Sequence, residues 1–216
     1  MVLFVNTMAF DCRFIPACRV ARRTNSALLD ASRALQSGRL GNLDTSPYLR
    51  TEPLSYGIEP RSWDTWTVEL WDRFFSINTR GTWLMCKAIA PLMEQQKRGK
   101  IINLASDVVK LPPSDVLLPY ACSKAAIHQI TQSLARTLKP SGICVNSIAP
   151  GLTATEANMI QPNSEKMFEA TIAIQCVKRR EEPQNLTGAA VFLATEESDF
   201  ITGQLLIVDG GAAFAQ

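Results

Sequence analysis

Three apolar runs, Lys100-Ile-Ile-Asn-Leu-Ala105, Ile143-Cys-Val-Asn-Ser-Ile148 and Gln204-Leu-Leu-Ile-Val208, are separated by segments long enough to be helices. Short runs of this composition read as strands buried on both faces. Strands joined through helices pair in parallel by right-handed crossovers, whereas hairpins need connections of only a few residues. The expected fold class is therefore α/β, a parallel sheet with helices on both faces.

The connecting segments carry the matching helix signals. Thr67 is placed as the N-cap of a long helix from Val68 to about Gln96, with Glu69 in its first turn, Pro91 bending it and Gly99 marking its end. A second helix runs from about Tyr120 to Leu138 and is stopped by Pro140 and Gly142. Glu156 to Cys176 reads as variable and partly helical, and Pro183 to Thr195 as a helix before the last strand, which Asp209-Gly210-Gly211 closes. Toward the N-terminus the signals weaken: Val2 to Val5 reads as a short strand and Ser26 to Ser37 as a helix ended by Gly38. Gly41 to Pro60, rich in Gly, Pro, Ser and Thr, reads as a loop or linker.

Composition narrows the function classes. The 216 residues are enough for one α/β domain with a sizeable core. A net charge of +2 without any block of basic residues argues against a nucleic-acid partner. No apolar run reaches the roughly 18–20 residues of a membrane-crossing helix, so no membrane partner is expected. The cysteines, at positions 12, 18, 86, 122, 144 and 176, form no Cys-x-x-Cys pair and read as free thiols of a reducing, cytoplasmic compartment. His128 is the single histidine, so zinc sites built on several histidines are excluded and no metal is expected. A packing or interface role is the ordinary reading of that residue. The first 43 residues hold six arginines, no lysine and only two acids, which gives a mitochondrial transit peptide as the minor alternative location.

Chemistry concentrates at Tyr120-Ala-Cys-Ser-Lys124. Residues four apart on a helix share a face, so the phenol and the ammonium can serve one site. A cation within ~4–6 Å stabilises phenolate and turns a tyrosine into a usable acid/base. Ser106 follows the strand Ile101 to Ala105, at the carboxyl edge where open parallel sheets bind ligands, and its hydroxyl can hold a reacting oxygen. Asn78 lies inside the long helix among apolar residues, a poor place for asparagine unless it makes a buried hydrogen bond or holds a water.

With these residues the chain resembles the short-chain dehydrogenase/reductase family. Asn78, Ser106, Tyr120 and Lys124 match the family's catalytic tetrad in order and nearly in spacing, with the loop from Asp107 to Pro119 slightly long. Trp71 to Asn78, Val145-Asn-Ser-Ile-Ala-Pro-Gly151, Phe200 to Gln204 and Asp209 to Gly211 resemble further family segments. The resemblance, over about 160 residues from Gly57 onward, implies a Rossmann-like sheet and hydride transfer between NAD or NADP and a secondary alcohol or ketone. It implies Tyr120 as acid/base and Lys124 as the residue that lowers its pKa and holds the nicotinamide ribose. Ser106 would bind the substrate oxygen and Asn78 a relay water. It adds Pro150, Gly151, Thr153 and Thr155 as cofactor contacts, and a homodimer or homotetramer as the assembly.

One family element is not found. The Gly-rich turn that lets the backbone approach a pyrophosphate has no counterpart: no glycine precedes Gly38, no Gly-x-Gly occurs, and Leu54-Ser-Tyr-Gly57 is the nearest match to the segment after the family's fourth strand. The expectation is an N-terminal half that is truncated or atypical, with residues 1–53 set apart from a catalytic part, 54–216, and with one sheet edge exposed. Three functions stay open: an active oxidoreductase, a catalytically inactive remnant that only pairs with other subunits, and a sugar-nucleotide epimerase or dehydratase sharing Tyr-x-x-x-Lys. The apolar residues Val108, Val109, Leu111, Val116, Leu117, Leu118, Met159 and Met167 favour an apolar substrate.

Overall fold

The computed structural model describes residues 1–5, 62–111 and 117–214. The proposed helix Ser26–Ser37, the loop Gly41–Pro60 and the segment Leu54–Gly57 lie outside the described residues. Among the described residues, four parallel strands form one sheet in the order β1 (Val2–Val5), β2 (Gly99–Leu104), β3 (Ile143–Pro150) and β4 (Leu205–Val208). Leu3 pairs with Ile101, Ile101 with Val145, and Ile148 with Leu206. The first residues of the chain thus join the same sheet as the later strands, with β1 beside β2.

Among the described residues, helices cover both faces of the sheet. α1 (Val68–Phe74) and α2 (Gly81–Gln95) come before β2, and α3 (Leu118–Leu138) before β3. Leu3, Val5, Ile101, Ile143 and Val145 pack against Cys86, Ile89 and Met93 of α2 and Ala135 and Leu138 of α3. On the other face, Ile102 and Ile148 meet Leu186, Ala190 and Leu193 around α6 (Thr187–Ala194). All eight residues of β3 are buried, as a strand covered on both faces requires. Between β3 and α6 lie two shorter helices, α4 (Glu156–Met159) and α5 (Ser164–Ile174).

Buried polar groups fix the layers. Asn103 on β2 donates to Thr131 of α3 at 2.8 Å and accepts from the Cys86 thiol of α2 at 3.6 Å, tying two helices to one strand. Asn146 on β3 accepts from the Gln204 amide at 3.0 Å and donates to the Ile201 carbonyl at 2.9 Å, which docks the loop leading into β4.

Two helix expectations change in detail. Thr67 does cap α1, accepting from the Leu70 amide at 3.3 Å. The long helix is not uniform, however: Phe75–Arg80 is a π-helical stretch between α1 and α2. Gly99 does not end the helix but opens β2, because α2 stops at Gln95 and Lys97 takes the left-handed turn with φ 50°. A side chain at Gly99 would meet the Met93 sulfur at 2.4 Å, so packing between strand and helix demands the glycine there.

Candidate active site

Parallel strands present their carboxyl ends together. Leu104 of β2 pairs with Ile148 of β3, so Ser106 and Pro150 leave adjacent strands at the same edge. Ser106, 6% exposed, caps a short turn (Asp107–Val109) by accepting from the Val108 amide at 3.5 Å. Its hydroxyl donates to the Asp107 carboxylate at 3.1 Å and lowers the proton affinity of the nearby Tyr120 phenol.

Tyr120 stands in the first turn of α3, half-buried, with its ring edge-on to Phe74 at 6.3 Å between centroids. Lys124 lies one turn later and is 1% exposed. Its ammonium donates to the Leu104 carbonyl at 2.9 Å, at the very end of β2, and sits 5.8 Å from the centroid of the tyrosine ring. Helical spacing therefore brings the phenol and the ammonium into one site.

The electrostatics of the site run against the simple expectation of a depressed phenol. Burial pushes the Tyr120 phenol up to about 12, with the Ser106 hydroxyl opposing and the Asp107 charge adding to the rise. Burial also pulls Lys124 down to about 7, so its charge is held far less firmly than on an exposed lysine. Desolvation is the largest cause for both groups. Asp107 itself is raised to about 6, first by burial and further by the Asp209 charge, against the hydrogen bond from Ser106.

Asn78 sits within the π-helical stretch and is fully buried. Its amide donates to the Ser123 hydroxyl at 2.9 Å, and Ser123 donates to the Tyr120 carbonyl at 2.7 Å. Thr79 adds a bond to the Ser123 carbonyl at 3.2 Å. The π geometry turns two consecutive polar residues toward α3, and so braces the turn that carries Tyr120 and Lys124.

After β3 the chain continues through Gly151, Thr153 and Thr155. Gly151 lies against Asp209 and Glu181: an added side-chain carbon would sit 2.9 Å from Glu181 Oε2 and 3.0 Å from Asp209 Cβ. Thr153 is buried and donates its hydroxyl to Glu181 at 3.0 Å. Thr155 caps α4, accepting from the Asn158 amide at 3.3 Å, which leaves its hydroxyl proton available to a ligand. Asp209 accepts from the Gly211 and Ala213 amides at 2.9 and 2.7 Å and closes the turn after β4.

Ser106, Tyr120 and Lys124 are brought together directly, Asn78 reaches them through Ser123, and Pro150 to Thr155 leaves the neighbouring strand at the same edge. His128 is part-buried two turns past Tyr120, its Nδ1 has no partner, and its proton affinity is lowered by burial and by Lys110. Asp107, Ser123 and Glu181 were not foreseen as site residues. Ser123 could have been found from its place inside Tyr-x-x-Ser-Lys, whereas Glu181, in Arg179-Arg-Glu-Glu-Pro183, reads as one more charge of a solvated surface run. Among the described residues no group of three or more His, Cys, Asp or Glu is arranged to hold a metal, and no helix is long and apolar enough to cross a membrane.

A family model described as enoyl-(acyl carrier protein) reductase matches residues 55–213. The chain is 36% identical over 145 residues to the 5-keto-D-gluconate 5-reductase of Escherichia coli strain K12, covering 67% of this chain and 57% of that one. It is 35% identical over 146 residues to the human dehydrogenase/reductase SDR family member 4, covering 67% and 52%. The chain thus spans about half the length of the curated relatives it matches. Among solved structures, a gluconate 5-dehydrogenase from Burkholderia cenocepacia J2315, in complex with NADP and tartrate, superposes with a TM-score of 0.67 at 31% identity, covering 74% of this chain and 62% of that one. Sequence motifs, sheet order and these likenesses agree: the chain belongs to the short-chain dehydrogenase/reductase family.

Proposed function

We propose that the chain is an NAD(P)-dependent oxidoreductase that interconverts a secondary alcohol and its ketone, with apolar substrates favoured. The observation that carries the reading is the grouping of Ser106, Tyr120 and Lys124 at the carboxyl edge of the sheet, with Lys124 anchored on Leu104 and 5.8 Å from the Tyr120 ring. With its phenol near 12, Tyr120 is protonated at neutral pH and suited to give a proton to a carbonyl oxygen held by Ser106. In the reverse direction Tyr120 takes the alcohol proton, and Lys124, once charged, supports the phenolate. Asn78 holds a relay water and, through Ser123, keeps the first turn of α3 in place.

The site's chemistry fits the nicotinamide end of a dinucleotide. Lys124 and Tyr120 would hold the ribose, and Pro150, Gly151, Thr153 and Thr155 would line the nicotinamide. The nicotinamide, when bound, supplies or accepts the hydride. The sequence carries no Gly-rich turn for the pyrophosphate, so the choice between NAD and NADP is left to measurement. Support for an apolar substrate comes from Val108 and Val109 beside Ser106 and from the exposed side chains of Leu111, Met159 and Met167. Two of the named relatives, a 5-keto-D-gluconate 5-reductase and a gluconate 5-dehydrogenase, act on gluconate-type substrates, so a panel of aromatic ketones run against 5-keto-gluconate decides the matter. A higher kcat/KM on the sugar acid would overturn the apolar reading.

Calorimetric titration with NADH and NADPH tests the function first. Saturable binding of either, together with turnover that falls at least about 100-fold in Tyr120→Phe while the melting temperature holds, is the expected result. A chain that folds cooperatively, binds neither and self-associates would favour the second reading, an inactive remnant that only pairs with other subunits. That reading draws on the missing Gly-rich turn and on Phe200 and Phe214, which are 101% and 67% exposed. For the active form we assign a homodimer or homotetramer in the cytoplasm, with residues 54–216 as its catalytic part and 1–53 as an atypical segment. Sedimentation measures the assembly.

A further inference from the structure

This inference rests on the oxidoreductase reading. The turn from Pro150 to Thr155, which would face the nicotinamide, is tied by backbone and side chain to a residue distant in the chain, Glu181. Their backbones form an isolated parallel bridge between Thr153 and Glu181, with the Ala154 amide donating to the Glu181 carbonyl at 2.7 Å. The side chain returns to the same turn. Glu181 Oε1 accepts from the Thr153 hydroxyl at 3.0 Å, and Oε2 accepts from the Gly151 amide at 3.0 Å, an amide it shares with the Val208 carbonyl at 3.1 Å. Glu181 is only 5% exposed.

Burial of a carboxylate is unfavourable without a partner charge. Among the described residues no cation pairs with Glu181. The adjacent arginines are engaged elsewhere: Arg179 donates to the Arg180 carbonyl and Asn185, and Arg180 pairs with Glu165 and stacks on Phe168. Both carboxylate oxygens are thus committed to one turn, and a purely structural acid would find cheaper surroundings. We propose that Glu181 is a positioning residue for the dinucleotide: its carboxylate grips Gly151 and Thr153 and so holds the turn 150–155 in the shape that receives the nicotinamide end.

The charged groups facing Glu181 are Asp107, from the turn after β2, and Asp209, from the turn after β4. Both are acids, and together with burial, the larger cause, they raise Glu181 to about 7. Protonation converts one acceptor oxygen into a hydroxyl and frees one of the two donors of the turn. The grip is therefore strongest above neutral pH.

The test uses the full chain as wild type, Glu181→Gln and Glu181→Ala. Fluorescence titration gives Kd for NADH and NADPH across the neutral range, and hydrogen exchange follows residues 150–155 in the free protein. Glu181→Ala is expected to weaken binding about tenfold or more, and Glu181→Gln less, because its carbonyl oxygen still accepts. Exchange in 150–155 should quicken in both variants. Wild-type affinity should decline as pH falls through about 7, and that step should vanish in Glu181→Gln. A residual step near 6 in that variant would belong to Asp107 and leaves the proposal intact. Wild-type affinity in Glu181→Gln, with the pH step retained and exchange unchanged, overturns it; should Glu181→Ala not fold, Glu181→Gln decides alone. A wild type that binds neither dinucleotide overturns the oxidoreductase reading itself, and the cofactor role of Glu181 with it.

Discussion

Asp107, Glu181 and Lys124 are buried ionisable groups whose shifts act on stability in opposite directions. Asp107 and Glu181 are raised to about 6 and about 7, so between roughly pH 4 and 7 the folded chain keeps protons that the unfolded chain has released. Their contribution is fully present below the unfolded carboxylate pKa values and is lost as pH rises through the folded ones. Lys124 is lowered to about 7, so from there to roughly pH 10 the unfolded chain binds the extra proton and stability rises with pH. Melting temperatures taken across this range should fall on the acid limb and climb on the alkaline one. Asp107→Asn should flatten the first limb and Lys124→Met the second; a wild-type curve with neither limb would refute the assignment. Tyr120 and Lys124 were legible in the sequence because a helical spacing of four is a local property. Their pKa directions were not, since desolvation depends on what the remainder of the chain packs around them.

At the scale of elements, the π-helical stretch Phe75–Arg80 is the feature that turns a helix into part of a site. It aims Asn78 and Thr79 at Ser123, and the Asn78 bond is fully buried. Asn78→Ala leaves Ser123 without that donor and should cost about 1–3 kcal/mol. A thermal melt reads this as a drop of about 2–4 °C per kcal/mol, and turnover should fall with it because the turn of Tyr120 loosens. Asn78→Asp, which keeps the size but lacks the donor, should behave similarly; unchanged stability in both would show that the bond does not brace α3. The sequence marked Asn78 as misplaced for a helix interior, and that mark was sound. It held no sign of the π geometry, since hydrophobic periodicity over so few residues does not separate α from π.

For the whole molecule, the pairing of β1 with β2 joins the neighbouring strands that lie furthest apart in the chain among the described residues. Leu3 is 7% exposed and packs with Ile89, Met93, Ile101 and Val145 in the core beneath α2 and α3. Leu3→Ala should destabilise by about 2–5 kcal/mol, the ordinary range for emptying a buried leucine site. Denaturant unfolding that remains a single transition would show that the first strand and the later ones are one cooperative unit. A neutral substitution would place β1 outside it.

What the sequence by itself determined is the set of local signals: apolar strands between helices, hence a parallel α/β sheet, the cap at Thr67, and the ordered Asn78, Ser106, Tyr120 and Lys124. Each depends on neighbours within a few residues along the chain, or on a motif order that survives without coordinates. Tertiary structure alone decided which strand lies beside β2, because strand pairing is a long-range choice that Val2-Leu-Phe-Val5 does not encode by its own pattern. It alone decided that Glu181 serves the turn 150–155, since a charge in a run of Arg and Glu is committed to a partner only when the fold buries it beside Gly151 and Thr153.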